Sequence, residues 1–561
     1  MSAAAQAAGA ALARTGRLLP RRSDWTAARP ARDLTAGLMV GLVALPLALG
    51  FGVSSGMGAA AGLVTAIVAG AVAAVFGGSR VQVSGPTGAM TVVLVPIIAT
   101  HGPDGVLVVG LLAGLILVGL GAAGAGRFIR YVPVPVVEGF TVGIAAIIAL
   151  QQVPAALGTD VHAERVLVLA ARAARAWADD PHWVPLGIAA GVVVVVLLSA
   201  RVVPLLPGSL AAVVLATLAT SAFDWDAATI GHIPASLPGP SLPDVPWADL
   251  DALLLPAVAV AALAALESLL SATVADGMSV GQRHDSDREL VGQGLANLAA
   301  PLFGGIPATA AIARTAVNVR SGAASRLAAL THAVLLLAVV LVAARWVGDI
   351  PRAALAGVLV ATAVQMVRVS SLAALLRSTR GDAVVLAVTA AATIVVDLVT
   401  AVLVGLVVAG FFALREAARS ARLEEMPLDE ADHGDEERSL LDEHIVAYRL
   451  DGPLFFAAAH DFLLELTDVT RVRVVILRMS RVTAIDATGA HVLADTISRL
   501  EHRHVTVLLS GVQQHHEQVL RELGVYGRLA HERHLFDTTP EAIAHARVHA
   551  ARIEHEPAPV T

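Results

Sequence analysis

The sequence predicts a polytopic α-helical membrane protein of about fourteen segments, in two inverted seven-segment repeats, followed by a cytoplasmic α/β domain. Three observations carry the prediction. Hydrophobic residues fill 56% of 561 positions and charged residues only 15%, with a mean hydropathy of +0.73; soluble chains carry more charged surface. Apolar runs occupy most of 34–414 and then stop, leaving a charged, His-rich stretch of ordinary domain size. Two Gly/Pro-interrupted segments also recur at matching positions in the two halves.

The apolar runs fall at about 34–54, 58–77, 86–101, 105–124, 132–154, 184–203 and 208–223. A second set covers about 256–277, 289–303, 308–318, 326–345, 353–367, 382–396 and 398–415, and several members are short for a simple span. Seven is odd, so the second set crosses in the opposite sense. Every basic residue is Arg. Arg80, Arg127/Arg130, Arg201, Arg283/Arg288, Arg320/Arg326, Arg368/Arg377 and Arg415/Arg419 fall in alternate loops, which places both termini in the cytoplasm of a multi-pass inner or plasma membrane protein. Arg165, Arg172 and Arg175 fit less well, in a long outside loop that includes an amphipathic interfacial helix. Polar residues follow Arg21-Arg22, so the first 32 residues are expected to form a cytoplasmic tail rather than a twin-arginine signal.

Several functions are excluded. Zero Cys removes disulfides and thiolate metal sites. The net charge of −7 comes partly from an acidic stretch over 424–443, and no basic patch interleaved with aromatics points to nucleic acid. There is no nucleotide P-loop and no Ser-His-Asp elbow, and Gly292-Gln293-Gly294 is apolar-flanked membrane segment rather than a cofactor turn. The chain is not expected to be an enzyme or to hold a cofactor or metal.

Ser84-Gly85-Pro86-Thr87-Gly88-Ala89 opens the third segment, and Gly304-Gly305-Ile306-Pro307-Ala308-Thr309-Ala310 opens the tenth, which is the third of its set. Paired breaks of this kind mark the binding site of inverted-repeat transporters. The plainer reading is close helix packing. Unwound backbone before a half-helix exposes amide N–H groups at the positive end of a dipole of roughly half a charge. Two such ends facing each other make an anion site. Arg314, about two turns into the tenth segment, adds a cation where insertion costs on the order of 3 kcal/mol. Snorkelling suits Arg320 better. Glu267, near the middle of 257–276, has Ser271 at i+4 on its face. A carboxylate at that depth must be protonated, paired or cation-bound, and so is a coupling candidate. Glu138 lies nearer an edge and reads as structural.

The C-terminal stretch alternates strands over 444–450, 472–479 and 505–509 with helices over 462–467, 488–500, 513–523 and 540–549. Thr488, after Asp486 at a strand-to-helix turn, reads as a helix cap. Phosphorylated, it would add roughly −1.5 to −2 charge there. His502/His504 and His515/His516 read as solvated rather than as metal pairs.

These stretches resemble the SulP (sulfate permease) anion transporters with a C-terminal STAS domain. The likeness rests on Asp33-Leu34-Thr35-Ala36-Gly37, Gly77-Gly78-Ser79-Arg80, Ser84 to Ala89, Pro135-Val136-Val137-Glu138-Gly139-Phe140-Thr141, Glu267-Ser268-Leu269-Leu270, Glu289-Leu290-Val291-Gly292-Gln293-Gly294, and Gly304 to Arg314. The last looks especially like the DauA-type four-carbon dicarboxylate transporters. The resemblance implies a core domain sliding against a gate domain in an elevator-like motion. It implies a tail over 1–32, a transport domain over 33–416, an acidic linker over 417–441, a STAS domain over 442–552 and a tail over 553–561. It places Phe51, Gly52, Thr87, Gly88, Ala89, Ala310, Ala313 and Arg314 at the substrate. Glu267 is implied as the proton-coupling carboxylate, with sodium at Glu267 and Ser271 as the alternative. The expected substrate is sulfate or another small inorganic anion, alternatively a dicarboxylate or bicarbonate. A channel or a STAS-linked signalling receptor is the reading from another class. A homodimer, and a regulatory partner at Asp486 and Thr488 of the STAS domain, are implied as well.

Overall fold

The computed structural model describes residues 30–163, 165–203, 207–244, 250–279, 283–396, 398–420, 422–425, 440, 444–454, 472–531 and 534–553. Arg21-Arg22, most of the acidic linker, the helix expected over 462–467 and the tail beyond 553 lie outside these residues. The chain divides into two compact units, ending and beginning at Leu406 and Val407.

Each apolar run has become helical. The first set is α1 (Pro30–Ser54), α2 (Ala59–Phe76), α3 (Gly88–Ala122), α4 (Val134–Gln151), the amphipathic α5 (Val166–Asp179), α6 (Trp183–Val202) and α7 (Gly208–Ala222). The second set is α8 (Leu250–Met278), α9 (Ser286–Leu302), α10 (Ile312–Arg320), α11 (Arg326–Gly348), α12 (Arg352–Met366), α13 (Arg380–Val395) and α14 (Leu398–Ser420). The expected third and fourth segments run together as α3, broken at Gly102, whose φ of 67° and ψ of −172° are non-helical. Pro103 follows, and a proline disfavours helix in the residue before it. Among the described residues, eight helices are long and apolar enough to cross a membrane. Helix α5 fits the interfacial helix expected near Arg165.

Packing sorts the helices into two groups. Helices α1, α2 and α3 pack with α8, α9, α10 and α11, whereas α4, α6 and α7 pack with α12 and α13. Each group thus draws on both halves, as inverted repeats require. Small residues set the spacing. A Cβ on Gly62 of α2 would lie 2.0 Å from the Ala48 carbonyl oxygen of α1, and one on Gly292 of α9 would lie 2.4 Å from Gly77. In hydrocarbon, contact between helices depends on such close approach.

Two of the motifs turn out to be fastenings. Asp33 is buried, and its carboxylate accepts from the Ala324 and Ser325 amides at 2.7 and 3.0 Å and from the Ser325 hydroxyl at 2.7 Å. Glu289 accepts from the Gly78 and Ser79 amides at 2.8 and 3.0 Å. Arg326 corrects an expectation: it is not a solvated loop charge. It is buried and donates to the carbonyls of Ala74 and Gly77 at 2.9 and 2.6 Å, where the negative end of the α2 dipole favours a cation. Glu138 accepts from the Ser371 hydroxyl at 3.0 Å, the structural role expected of it.

The second unit holds a five-stranded sheet, β3 (Arg422–Glu425), β4 (Ile445–Leu454), β5 (Val474–Ile485), β6 (Thr506–Ser510) and β7 (Leu535–Phe536), after the short β1 and β2 described below. Spatial order follows sequence order. The β3–β4 pair is antiparallel and the others are parallel. Helices α15 (Ala487–His502), α16 (Gln514–Glu522) and α17 (Thr539–Ile553) connect or follow the strands. Asp486, not Thr488, caps α15: its carboxylate accepts from the Gly489 amide at 2.7 Å, while Thr488 is exposed one residue inside the helix. The shorter side chain at the true junction has the reach. Asp486→Ala is therefore expected to cost about 1 kcal/mol of this domain's stability in a thermal melt, with Thr488→Ala near neutral. His516 corrects another expectation. It is buried rather than solvated, and burial together with neighbouring His515 lowers its pKa.

Candidate functional site

The two Gly/Pro breaks meet. Ser84–Gly85 forms β1 and Thr309–Ala310 forms β2, antiparallel, with Ser84 opposite Ala310 and Gly85 opposite Thr309. Irregular backbone at membrane depth survives only where protein satisfies it, and here polar side chains do so. The Thr315 hydroxyl accepts from the Val83 amide at 3.1 Å, and Asn318 donates to the Val81 carbonyl at 2.7 Å. Asn297 both donates to the Ala308 carbonyl and accepts from its amide at 2.8 Å. The Thr65 hydroxyl accepts from the Ile306 amide at 2.7 Å, and that of Ser268 from the Ala310 amide at 3.1 Å.

From this crossing the two half-helices depart. Thr87 caps α3, its hydroxyl accepting from the Met90 amide at 3.4 Å. Helix α10 starts at Ile312, later than the expected 308, because Thr309–Ala310 is held in the β1 pairing. Arg314 consequently sits in the first turn of α10 rather than two turns in. Its guanidinium is buried, donates through Nη2 to the Pro86 carbonyl at 2.7 Å, and has no hydrogen-bond partner at Nη1 among the described residues.

Glu267 lies at the junction, half-buried. One of its oxygens accepts from the Thr87 hydroxyl at 2.8 Å and the Thr309 hydroxyl at 2.6 Å, so a single carboxylate touches both breaks. Arg314 is near enough to interact electrostatically with it. Ser271 is not joined to Glu267: it is buried and its hydroxyl donates to Thr315 at 3.1 Å. The i+4 spacing shares a face, but Thr315 on α10 takes the hydroxyl. Phe51, Gly52, Gly88, Ala89 and Ala310 are buried, and Ala313 is exposed. A Cβ on Gly88 would lie 3.1 Å from the Phe51 ring and 2.1 Å from the Ile148 side chain, so glycine lets these two side chains close on the start of α3 without moving.

Sequence reading missed Thr309, Ser268, Thr315, Asn297 and the buried His332 of α11. The available signal was polar residues isolated in apolar runs, each needing a partner.

A model of the sulfate permease family matches residues 31–389, and one of the STAS domain matches 441–542. The chain belongs to the sulfate permease family. This is a family of membrane anion transporters, not of enzymes. The permease is 34% identical over 520 residues to the Bacillus subtilis (strain 168) protein named "Putative sulfate transporter YvdB", covering 90% of this chain and 96% of the relative. The transmembrane domain of a cyanobacterium bicarbonate transporter, BicA, aligns with a TM-score of 0.60 at 31% identity, over 68% of this chain and 98% of that one. Murine Slc26a9, an anion transporter solved in the inward-facing state, shares the fold with a TM-score of 0.81 at 18% identity, over 96% and 95% of the two chains. The permease thus has the helical transporter fold with a C-terminal STAS domain.

Proposed function

We propose that this permease is a proton-coupled secondary transporter of a small inorganic anion, with sulfate as substrate. The observation that carries the reading is the Glu267 carboxylate, held by Thr87 and Thr309 where the two half-helices begin. A proton taken up there changes the charge next to the anion's site. In this reading the amides opening α3 and α10, the buried Arg314 and the surfaces of Phe51, Gly52, Gly88, Ala89, Ala310 and Ala313 receive the anion. The group containing α1 to α3 and α8 to α11 carries it past the other group. Both termini are cytoplasmic, the protein is a homodimer in the cell membrane, and the STAS domain regulates rather than catalyses. Bicarbonate is the second reading, favoured by the likeness to the BicA transmembrane domain.

Uptake of labelled sulfate, bicarbonate and succinate into proteoliposomes tests this. Sulfate uptake is expected to rise when the outside is made more acidic than the lumen. Uptake indifferent to the pH gradient overturns proton coupling, and a preference for bicarbonate or succinate moves the substrate.

A further inference from the structure

Helix α17 carries His545 and His549 four residues apart, on one face. His534, in the turn before β7, is buried against them. The His534 ring centroid lies 5.7 Å from that of His545 and 5.0 Å from that of His549, and the latter two are 4.9 Å apart. One nitrogen from each of the three rings can be chosen so that all lie within 4.8 Å of one another. We propose that His534, His545 and His549 form a three-imidazole site for a divalent transition metal, zinc foremost.

Zinc binds imidazole nitrogen at about 2.0–2.1 Å, which sets tetrahedral ligand atoms about 3.4 Å apart. His545 and His549 are half-buried at the edge of the cluster, where rotation about their side-chain bonds can shorten the observed spacing. Imidazole suits zinc, copper and nickel, whereas calcium and magnesium take oxygen. Three histidines leave a fourth position for water. His534 is buried, and its Nδ1 has no hydrogen-bond partner among the described residues. The metal would fasten α17 to the turn before β7. The adjoining stripe of α17, Ala542, Ile543, Ala546 and Ala550, is packed with Val474, Ile476 and Leu508 of the sheet. All three residues lie in the second unit of the chain.

The test uses the full-length permease in detergent, without a polyhistidine tag, after dialysis against a chelator. Wild type is expected to take up one zinc per chain and, with cobalt, to develop a visible ligand-field absorption that zinc abolishes. His545→Ala/His549→Ala should weaken binding more than about a hundredfold, since loss of a group merely orienting a ligand already costs ten- to hundredfold. Both rings are partly exposed on a helix where Ala is favoured, so the variant is expected to fold, and its melting curve checks this. His502→Ala/His504→Ala should bind as wild type does. No uptake from ten-micromolar zinc by wild type, or less than a tenfold loss in the double variant, overturns the site and leaves a packed imidazole cluster.

Discussion

Replacing Glu267 by Gln is expected to abolish proton-driven accumulation of the anion while leaving anion binding largely intact. A gradient of one pH unit is worth about 1.4 kcal/mol per coupled proton, enough for a roughly tenfold concentration ratio across the membrane. In the variant that ratio should fall to one. The reasoning is stereochemical. The amide of Gln occupies the same volume and keeps a carbonyl oxygen, so the Thr87 and Thr309 hydroxyls, at 2.8 and 2.6 Å in the native protein, still have an acceptor. What is lost is the ability to gain and release a proton. Uptake under an imposed gradient, paired with equilibrium binding on the same preparation, separates the two effects. Continued accumulation in Glu267→Gln would falsify the coupling role. Wild-type uptake driven by sodium instead of protons would turn the same carboxylate and its two hydroxyls into a sodium site.

Arg314→Ala should weaken substrate binding roughly tenfold to hundredfold, because a charge-assisted contact contributes about 1.5–3 kcal/mol. The first-turn position strengthens this expectation, since the guanidinium and the positive end of the α10 dipole lie together. The position also adds a cost. Arg314 donates to the Pro86 carbonyl, so Ala leaves that buried oxygen unsatisfied and should remove about 1–3 kcal/mol of stability. Affinity must therefore be read on the monodisperse folded fraction. Arg314→Lys should recover only part of the affinity, because one ammonium cannot replace a fork that reaches both Pro86 and an anion. Arg320, exposed in the last turn of α10, is the control and should tolerate Ala. Equal sulfate affinity in wild type and Arg314→Ala removes Arg314 from the site and leaves the half-helix amides as its proposed anion-binding groups.

The residues differ in how far the sequence exposed them. Glu267 and Arg314 were visible as charges inside apolar runs, where charge is costly enough to need a reason. Thr309 was only one letter of a Gly/Pro break, yet it makes the shorter of the two bonds to Glu267. Ser271 was selected by helical spacing, which says that two residues share a face but not which neighbour that face meets. Asp486 and Thr488 were both legible as a helix start, and backbone geometry decided which one caps. The imidazole cluster was hidden more completely. Its i, i+4 pair stood among many histidines, and the third ring comes from a turn rather than from the helix.

By itself the sequence determined where the chain crosses a membrane, where those crossings break, and that an α/β domain follows. These are properties of neighbouring residues: a run is apolar for long enough or it is not, and a proline removes a backbone donor wherever it stands. The tertiary structure alone decided the partners. Thr87 and Thr309 reach Glu267 from 180 and 42 residues away, and Asn297, Thr315 and Ser268 were allotted to particular backbone groups of the two breaks. Buried polar groups must be satisfied, a demand that can be read from the sequence. Which group satisfies which depends on distances between segments far apart in the chain, and those exist only once the helices have packed.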